Sequence, residues 1–215
     1  MGYGLLYESM LPSVLDARDR FMAPGGTMWP NKTRLLLTGW SDRGVDGTQP
    51  SRMGWWGNVH GLDMSCLAPL ALQDACIEVV PVPTLVTPTE AVWKLDLNTC
   101  SAADLDFEAP FTLTAESRGL CGMVLSFDVG FEAEEATVVL TTSPEAPPTH
   151  WKQTLLVMDP QQLAAAPEAS RRGLVTGTLA MRRRGAEQNH RDYDIALKWE
   201  FQGGAKGAQV FALAT

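Results

Sequence analysis

Apolar and polar residues alternate with period two in two stretches of this chain. Met123, Leu125, Phe127, Val129 and Phe131 form the first, with the apolar Val124 breaking its outer face. Tyr193, Ile195, Leu197, Trp199 and Phe201 form the second, with polar or small residues between them. Successive strand residues point to opposite faces, so this spacing predicts two strands with one face in a core. Arg34 to Trp40, Thr137 to Thr142, Gln153 to Met158 and Leu174 to Met181 read as further strands. Turn-forming stretches separate them at Ser143 to Pro148, at Pro160 and at Gly203 and Gly204. Many short strands punctuated in this way predict an antiparallel sandwich or barrel.

Two segments depart from that rhythm. In residues 10 to 22, Leu11, Val14, Leu15, Arg18 and Phe21 fall near a 3.6-residue period and predict a helix. Ser9 suits its N-cap, Pro12 is tolerable in its first turn, and Pro24, Gly25 and Gly26 stop it. Residues 54 to 83 carry Leu62, Met64, Leu67, Leu70, Leu72 and Ile77 at mostly helical spacings behind Trp55 and Trp56. They predict a helical insertion with more apolar surface than so short a segment buries by itself, so it packs on its own domain or meets a partner. Gln161 to Arg172 reads as a loop, and Arg182 to Arg184 as a solvated strand end or turn.

Composition narrows the class. A chain of 215 residues suits one large core, or one domain plus part of another. The net charge of −8 disfavours direct phosphate contact and hence nucleic acid. It aids solubility, and it would steer a cationic partner such as an arginine-rich peptide. No apolar run is long enough for a transmembrane helix, and the N-terminus lacks the layout of a signal peptide. Cys66, Cys76, Cys100 and Cys121 form no CxxC pair and read as buried reduced thiols. Asn31 to Thr33 has the form of a glycosylation acceptor and, without a secretory signal, reads as chance.

Two residues stand out as candidates for chemistry. Glu8 lies where a Gly- and Tyr-rich segment meets the helix, either as a first-turn charge favoured by the helix dipole or as a functional carboxylate. His150 follows Pro147 and Pro148 and precedes Trp151, either as a structural histidine or as a functional one on a stiffened loop. His60 and His190 have no neighbouring ligand residues, so no metal site is expected. No nucleophile elbow or phosphate loop occurs. Pattern alone stops at a β-rich soluble domain. The seven tryptophans would also allow an aromatic carbohydrate-binding sandwich.

Longer motifs add to this. MGYGLLYESM at the start and THWKQT at Thr149 to Thr154 resemble the two active-site loops of the protein arginine methyltransferases. The first resembles the later part of that family's double-glutamate loop. Ala17 to Phe21 with Pro24 to Gly26 resembles the segment next to that loop in the family's order. Trp55, Trp56, Val59 and Gly61 to Cys66 (GLDMSC) resemble the dimerisation arm, and Asn189 to Asp194 resembles a late barrel segment of the type I members. The likeness runs in the family's order over nearly the whole chain. It implies a mainly β chain: an antiparallel β-barrel over 30–215 with a helical dimerisation arm at 54–83. Residues 1–29 would be the tail of a class I α/β methyltransferase domain.

The resemblance also implies chemistry. The methyl donor would be S-adenosylmethionine, and the substrates would be arginine side chains of histones or Arg-Gly-rich proteins in cytoplasm or nucleus. An arginine guanidinium stays charged, so two glutamates grip it bidentately and leave one nitrogen better placed to attack the methyl group. Glu8 matches the second of those glutamates. The first would precede Met1, so this chain is expected to be inactive alone. Glu8 and His150 are the implied catalytic residues. His150 would help hold the site or relay a proton, with an aspartate partner that this chain lacks. Tyr3, Met10 and Trp151 are the implied substrate contacts, and Met10 also lies toward the cofactor. A homodimer through 54–83 is expected. The second reading is a non-catalytic module that uses the same arm to bind a full-length partner.

Overall fold

The computed structural model describes residues 2–42, 52, 54–116, 118–185 and 189–214; Met1 of the first motif lies outside them. A helix, α1 (Met10–Phe21), leads into ten strands: β1 (Lys32–Trp40), β2 (Cys76–Glu78), β3 (Glu90–Asp96), β4 (Phe107–Ala115), β5 (Gly122–Glu132), β6 (Thr137–Thr141), β7 (Gln153–Val157), β8 (Gly173–Arg183), β9 (Tyr193–Phe201) and β10 (Lys206–Leu213). One sheet runs β2-β7-β5-β1-β3, and β6 pairs with β5 beyond the end of β7. The second runs β10-β9-β8-β4. Every ladder between strands is antiparallel.

The two sheets share one core and meet at two seams. At one seam the chain entering β2 bonds to β10: Ala75 N–H donates to Ala212 O at 2.9 Å, and Ala212 N–H donates to Gln73 O at 2.7 Å. At the other, Trp93 of β3 stacks on Phe107 of β4 with ring centroids 4.3 Å apart. This is the expected antiparallel β architecture, built as two sheets joined edge to edge around Leu35, Leu37, Phe127, Leu179, Ile195, Leu197 and Phe211.

Strand β5 explains the apolar Val124. Met123, Leu125, Phe127 and Val129 enter the shared core, whereas Val124 joins a second cluster with Trp40, Leu72, Val80, Leu155 and Val157 on the arm side. The strand is buried on both faces from Gly122 to Gly130. A strand of that kind loses its alternation and becomes an apolar run. In β10, Gly207 lies opposite Trp199, and a Cβ there would sit 2.4 Å from the indole. Glycine at that position is what lets the tryptophan fit.

The predicted helix is present, but its expected cap is not. Ser9 sits at the N-cap in a left-handed conformation (φ 50°, ψ 37°) and makes no side-chain cap bond. Its hydroxyl instead donates to His190 O at 2.6 Å. Leu11, Leu15 and Arg18 form the buried face of α1. The Arg18 guanidinium donates to Leu97 O at 2.7 Å and pairs with Asp19 at 2.6 Å, fastening the helix to the turn after β3.

The insertion is less helical than its spacing suggests. It consists of single turns at Gly54–Gly57, Ser65–Leu67, Ala68–Ala71 and Val82–Thr84, with β2 between them. Pro69, Pro81 and Pro83 interrupt it, and no stretch is long enough to repay helix nucleation. Leu72 and Val80 join a core cluster, but several other apolar residues stay outside it. Trp55, Leu62, Leu70, Val79 and Val82 are all exposed. Between Gln161 and Arg172, the expected loop contains the tail of a one-turn helix and a 3₁₀ turn at Glu168–Arg171.

Candidate active site

Residues 2–9 form a tight loop in front of α1. Gly4, Leu5, Glu8 and Ser9 all adopt positive φ (55°, 72°, 77° and 50°). For residues other than glycine this conformation costs on the order of 1 kcal/mol or more and persists only where the surroundings enforce it. Here Leu5, Leu6 and Tyr7 are buried in the shared core. The loop also bonds to itself: Leu6 N–H donates to Gly4 O at 2.9 Å, and Tyr7 N–H to Tyr3 O at 3.2 Å. A Cβ on Gly2 would lie 2.3 Å from Tyr7 O, so only glycine admits this fold-back.

The second loop, Thr149 to Lys152, springs from the junction of β6 and β7. Gln153 holds that junction: its side-chain amide donates to Thr142 O at 2.7 Å and accepts from Val80 N–H at 2.9 Å. Thr142 in turn accepts from Phe127 N–H at 2.8 Å. Lys152 turns back with φ 49° and donates its N–H to Thr149 O at 3.1 Å. Trp151 is half-buried and meets Phe127 edge to face at 5.9 Å.

The two loops touch through their aromatic rings. Tyr3 stacks on Tyr7 at 5.8 Å and on His150 at 6.4 Å, and His150 meets Trp151 at 6.2 Å. Tyr3, His150 and Trp151 therefore form one surface although two thirds of the chain separates them. His150 itself is exposed. Met10, the first residue of α1, is 52% exposed beside the loop.

Glu8 is held from a third direction. Its carboxylate accepts from the Arg191 guanidinium at 3.1 Å, and its N–H donates to Arg191 O at 3.0 Å. Asn189 shapes that turn by accepting from Arg191 N–H and donating to the Asp192 carboxylate. Beneath it, Tyr193 is buried against Ser9, and burial pushes its phenol above the ordinary range. Residue patterns did not single out Arg191. Its only advance signal was the resemblance of Asn189 to Asp194 to a late barrel segment. The geometry offers one carboxylate already bonded to a guanidinium, next to a wall of aromatic rings. Such a surface can receive a cationic, planar group.

The arginine methyltransferase oligomerization subdomain matches residues 43–204. The chain belongs to the protein arginine methyltransferase family. It is 33% identical over 204 residues to protein arginine N-methyltransferase 1 of Chlamydomonas reinhardtii, covering 94% of this chain and 56% of that protein. It is 34% identical over 216 residues to the ribosomal protein arginine N-methyltransferase rmt3 of Schizosaccharomyces pombe, covering 95% of this chain and 38% of that protein. Thus the chain spans about half the length, or less, of these arginine methyltransferases. Among solved structures, the Trypanosoma brucei PRMT1 enzyme-prozyme heterotetrameric complex with AdoHcy superposes with a TM-score of 0.84 at 32% identity, over 100% of this chain and 66% of that one. Protein arginine methyltransferase 10 of Arabidopsis thaliana gives 0.75 at 26% identity, over 100% of this chain and 68% of that one.

The described residues bring Tyr3, His150 and Trp151 onto one surface, with Glu8 in the same loop as Tyr3. They contain no parallel strand–turn–helix unit of the kind that cradles a nucleotide, since every ladder is antiparallel.

Proposed function

We propose that this chain carries the arginine-receiving side of a protein arginine N-methyltransferase that uses S-adenosylmethionine. The observation that carries the reading is the meeting of the two motif loops, with Tyr3 stacked on His150 and Glu8 of the same loop set to bond a guanidinium. In this reading Glu8 supplies half of a two-carboxylate grip, and the arginine slides in along Tyr3 and Trp151. His150 stabilises that wall and serves as a proton acceptor at its rim. Met10 crowds the reacting nitrogen. Residues 1–29 act as the tail of a cofactor domain, 30–215 as the substrate barrel and 54–83 as the dimerisation arm. The substrates are histones or Arg-Gly-rich proteins of cytoplasm or nucleus, and the product series runs through monomethyl-arginine.

The test compares two polypeptides on an Arg-Gly-rich peptide. One is these 215 residues. The other joins them to a methyltransferase domain from a family relative. The reading expects no turnover from the first and measurable turnover from the second. In the chimera, Glu8→Gln lowers turnover by about a hundredfold or more, because one charge-assisted donor–acceptor pair is lost at the reacting group. Full turnover by the 215 residues alone, or by the Glu8→Gln chimera, rejects it.

The second reading, a module that pairs with a full-length partner, draws on the arm. Trp55, Leu62, Leu70, Val79 and Val82 lie exposed on one short insertion. Light scattering on the chain and on a Leu62→Lys, Leu70→Lys variant, both positions exposed, addresses it. A monomer in both cases removes the arm from either reading.

A further inference from the structure

Strand β6 has an open outer edge. It pairs only with β5, and among the described residues no strand lies on its other side. Residues 132–140 are all exposed, and within them Val138, Val139 and Leu140 follow in direct succession. Such an edge normally carries charge, a proline or a bulge to discourage pairing. This one carries three apolar residues.

The register says what the edge would accept. Leu140 lies opposite Val129 and Val138 opposite Phe131. Val129 belongs to the core, and Phe131 stacks on Trp29 at 6.0 Å. Val138 and Leu140 therefore continue the core face one strand beyond its present rim. A further extended segment would cover them with alternate side chains while its backbone bonded the free edge.

Charge and position identify the occupant. Glu132 at the end of β5 and Glu134 and Glu135 in the turn to β6 are all exposed. At the opposite end, Thr142 is bonded to Gln153, so the loop with His150 and Trp151 emerges where β6 finishes. The strand between these ends is five residues long, roughly 16 Å. A segment adding antiparallel to β6 would begin near the His150 loop and end at the acidic turn.

We infer that β6 is a docking edge for the substrate polypeptide. The segment is extended and rich in β-branched residues, with a basic stretch on its C-terminal side and the target arginine on its N-terminal side. This inference rests on the arginine methyltransferase reading and adds to it a contact outside the reacting group.

The probe is a synthetic peptide with Gly-Gly-Arg-Gly-Gly, then alternating Val and Thr, then a short Lys run. Its control replaces Val and Thr by Gly and Ser. Amide hydrogen exchange on the chain itself is expected to slow at Thr137, Val139 and Thr141, whose N–H groups face the open edge, with the probe and not with the control. Val138→Lys with Leu140→Lys, both exposed and so compatible with folding, weakens binding by about tenfold. Glu134→Lys with Glu135→Lys weakens it less, and the loss shrinks in salt. Equal binding of probe and control overturns the proposal. So does β6 protection that appears without peptide and grows with protein concentration, which makes a second copy the occupant. In the methyltransferase chimera, the probe is expected to show a KM about tenfold below the control. Turnover with equal KM values rejects only the docking edge, whereas no methylation of either peptide rejects the underlying reading.

Discussion

The loop 2–9 and the arm 54–83 are both irregular segments attached to the same pair of sheets, yet their circumstances are opposite. The loop holds four residues at positive φ and is packed almost to completion, with Leu5, Leu6 and Tyr7 at 0%, 3% and 3% exposure. The arm has more ordinary backbone apart from His60 and Gly61, and it leaves Trp55, Leu62, Leu70, Val79 and Val82 in water. The difference shows that irregular backbone is not itself a sign of looseness. A strained segment is kept in place when the core and neighbouring turns both hold it. An unstrained one can still be unfinished when its apolar side has no counterpart.

The contrast makes graded predictions for unfolding of the chain in denaturant. Leu5→Ala should cost about 2–5 kcal/mol, because it opens a cavity where the loop enters the core. Leu62→Ala or Leu70→Ala in the arm should stay within about 0.5 kcal/mol. Similar losses at Leu5 and Leu70 would erase the distinction. Next comes Arg18→Ala, expected to cost about 1–3 kcal/mol by leaving the buried Leu97 carbonyl without its donor. A cost near zero there would mean that α1 is held by Leu11 and Leu15 alone.

Tyr193 supplies a pH test. Folding keeps its phenol neutral above the range where an unfolded tyrosine ionises, so the unfolded state loses its proton first. Stability is full below about pH 10 and falls as pH climbs from there through the folded value. Tyr193→Phe should flatten that alkaline limb, and an unchanged limb would assign it to another group. The smallest effect belongs to Arg191→Gln. Its pair with Glu8 is half-exposed, so about 0.2–1 kcal/mol is expected in stability. In the chimera the same change should raise KM for the arginine peptide, because Glu8 loses the donor that orients it. An unaltered KM would make Arg191 a structural partner only.

Legibility in the sequence followed the same physics. Strand β9 was readable because one face is core and the other is wet. Strand β4 alternates just as cleanly, with Phe107, Ala109, Phe111, Leu113 and Ala115 inward, but Pro110 disguised it. The proline is tolerated because β4 is an edge strand. Strand β10 was hidden by small residues that make room for Trp199. The THW loop and the Tyr3 loop were legible only as motifs. The Glu8–Arg191 pair was not legible at all, since it depends on two turns meeting across the fold.

The seam at Ala212 has a mechanical side. Residues 73–75 belong to the arm and are also the staple at one seam of the two sheets. A pull on the arm is therefore felt first by the last strand, and the arm cannot peel away while that staple holds. Backbone bonds thus run from the arm through β2 to β7, the strand that directly follows the His150 loop.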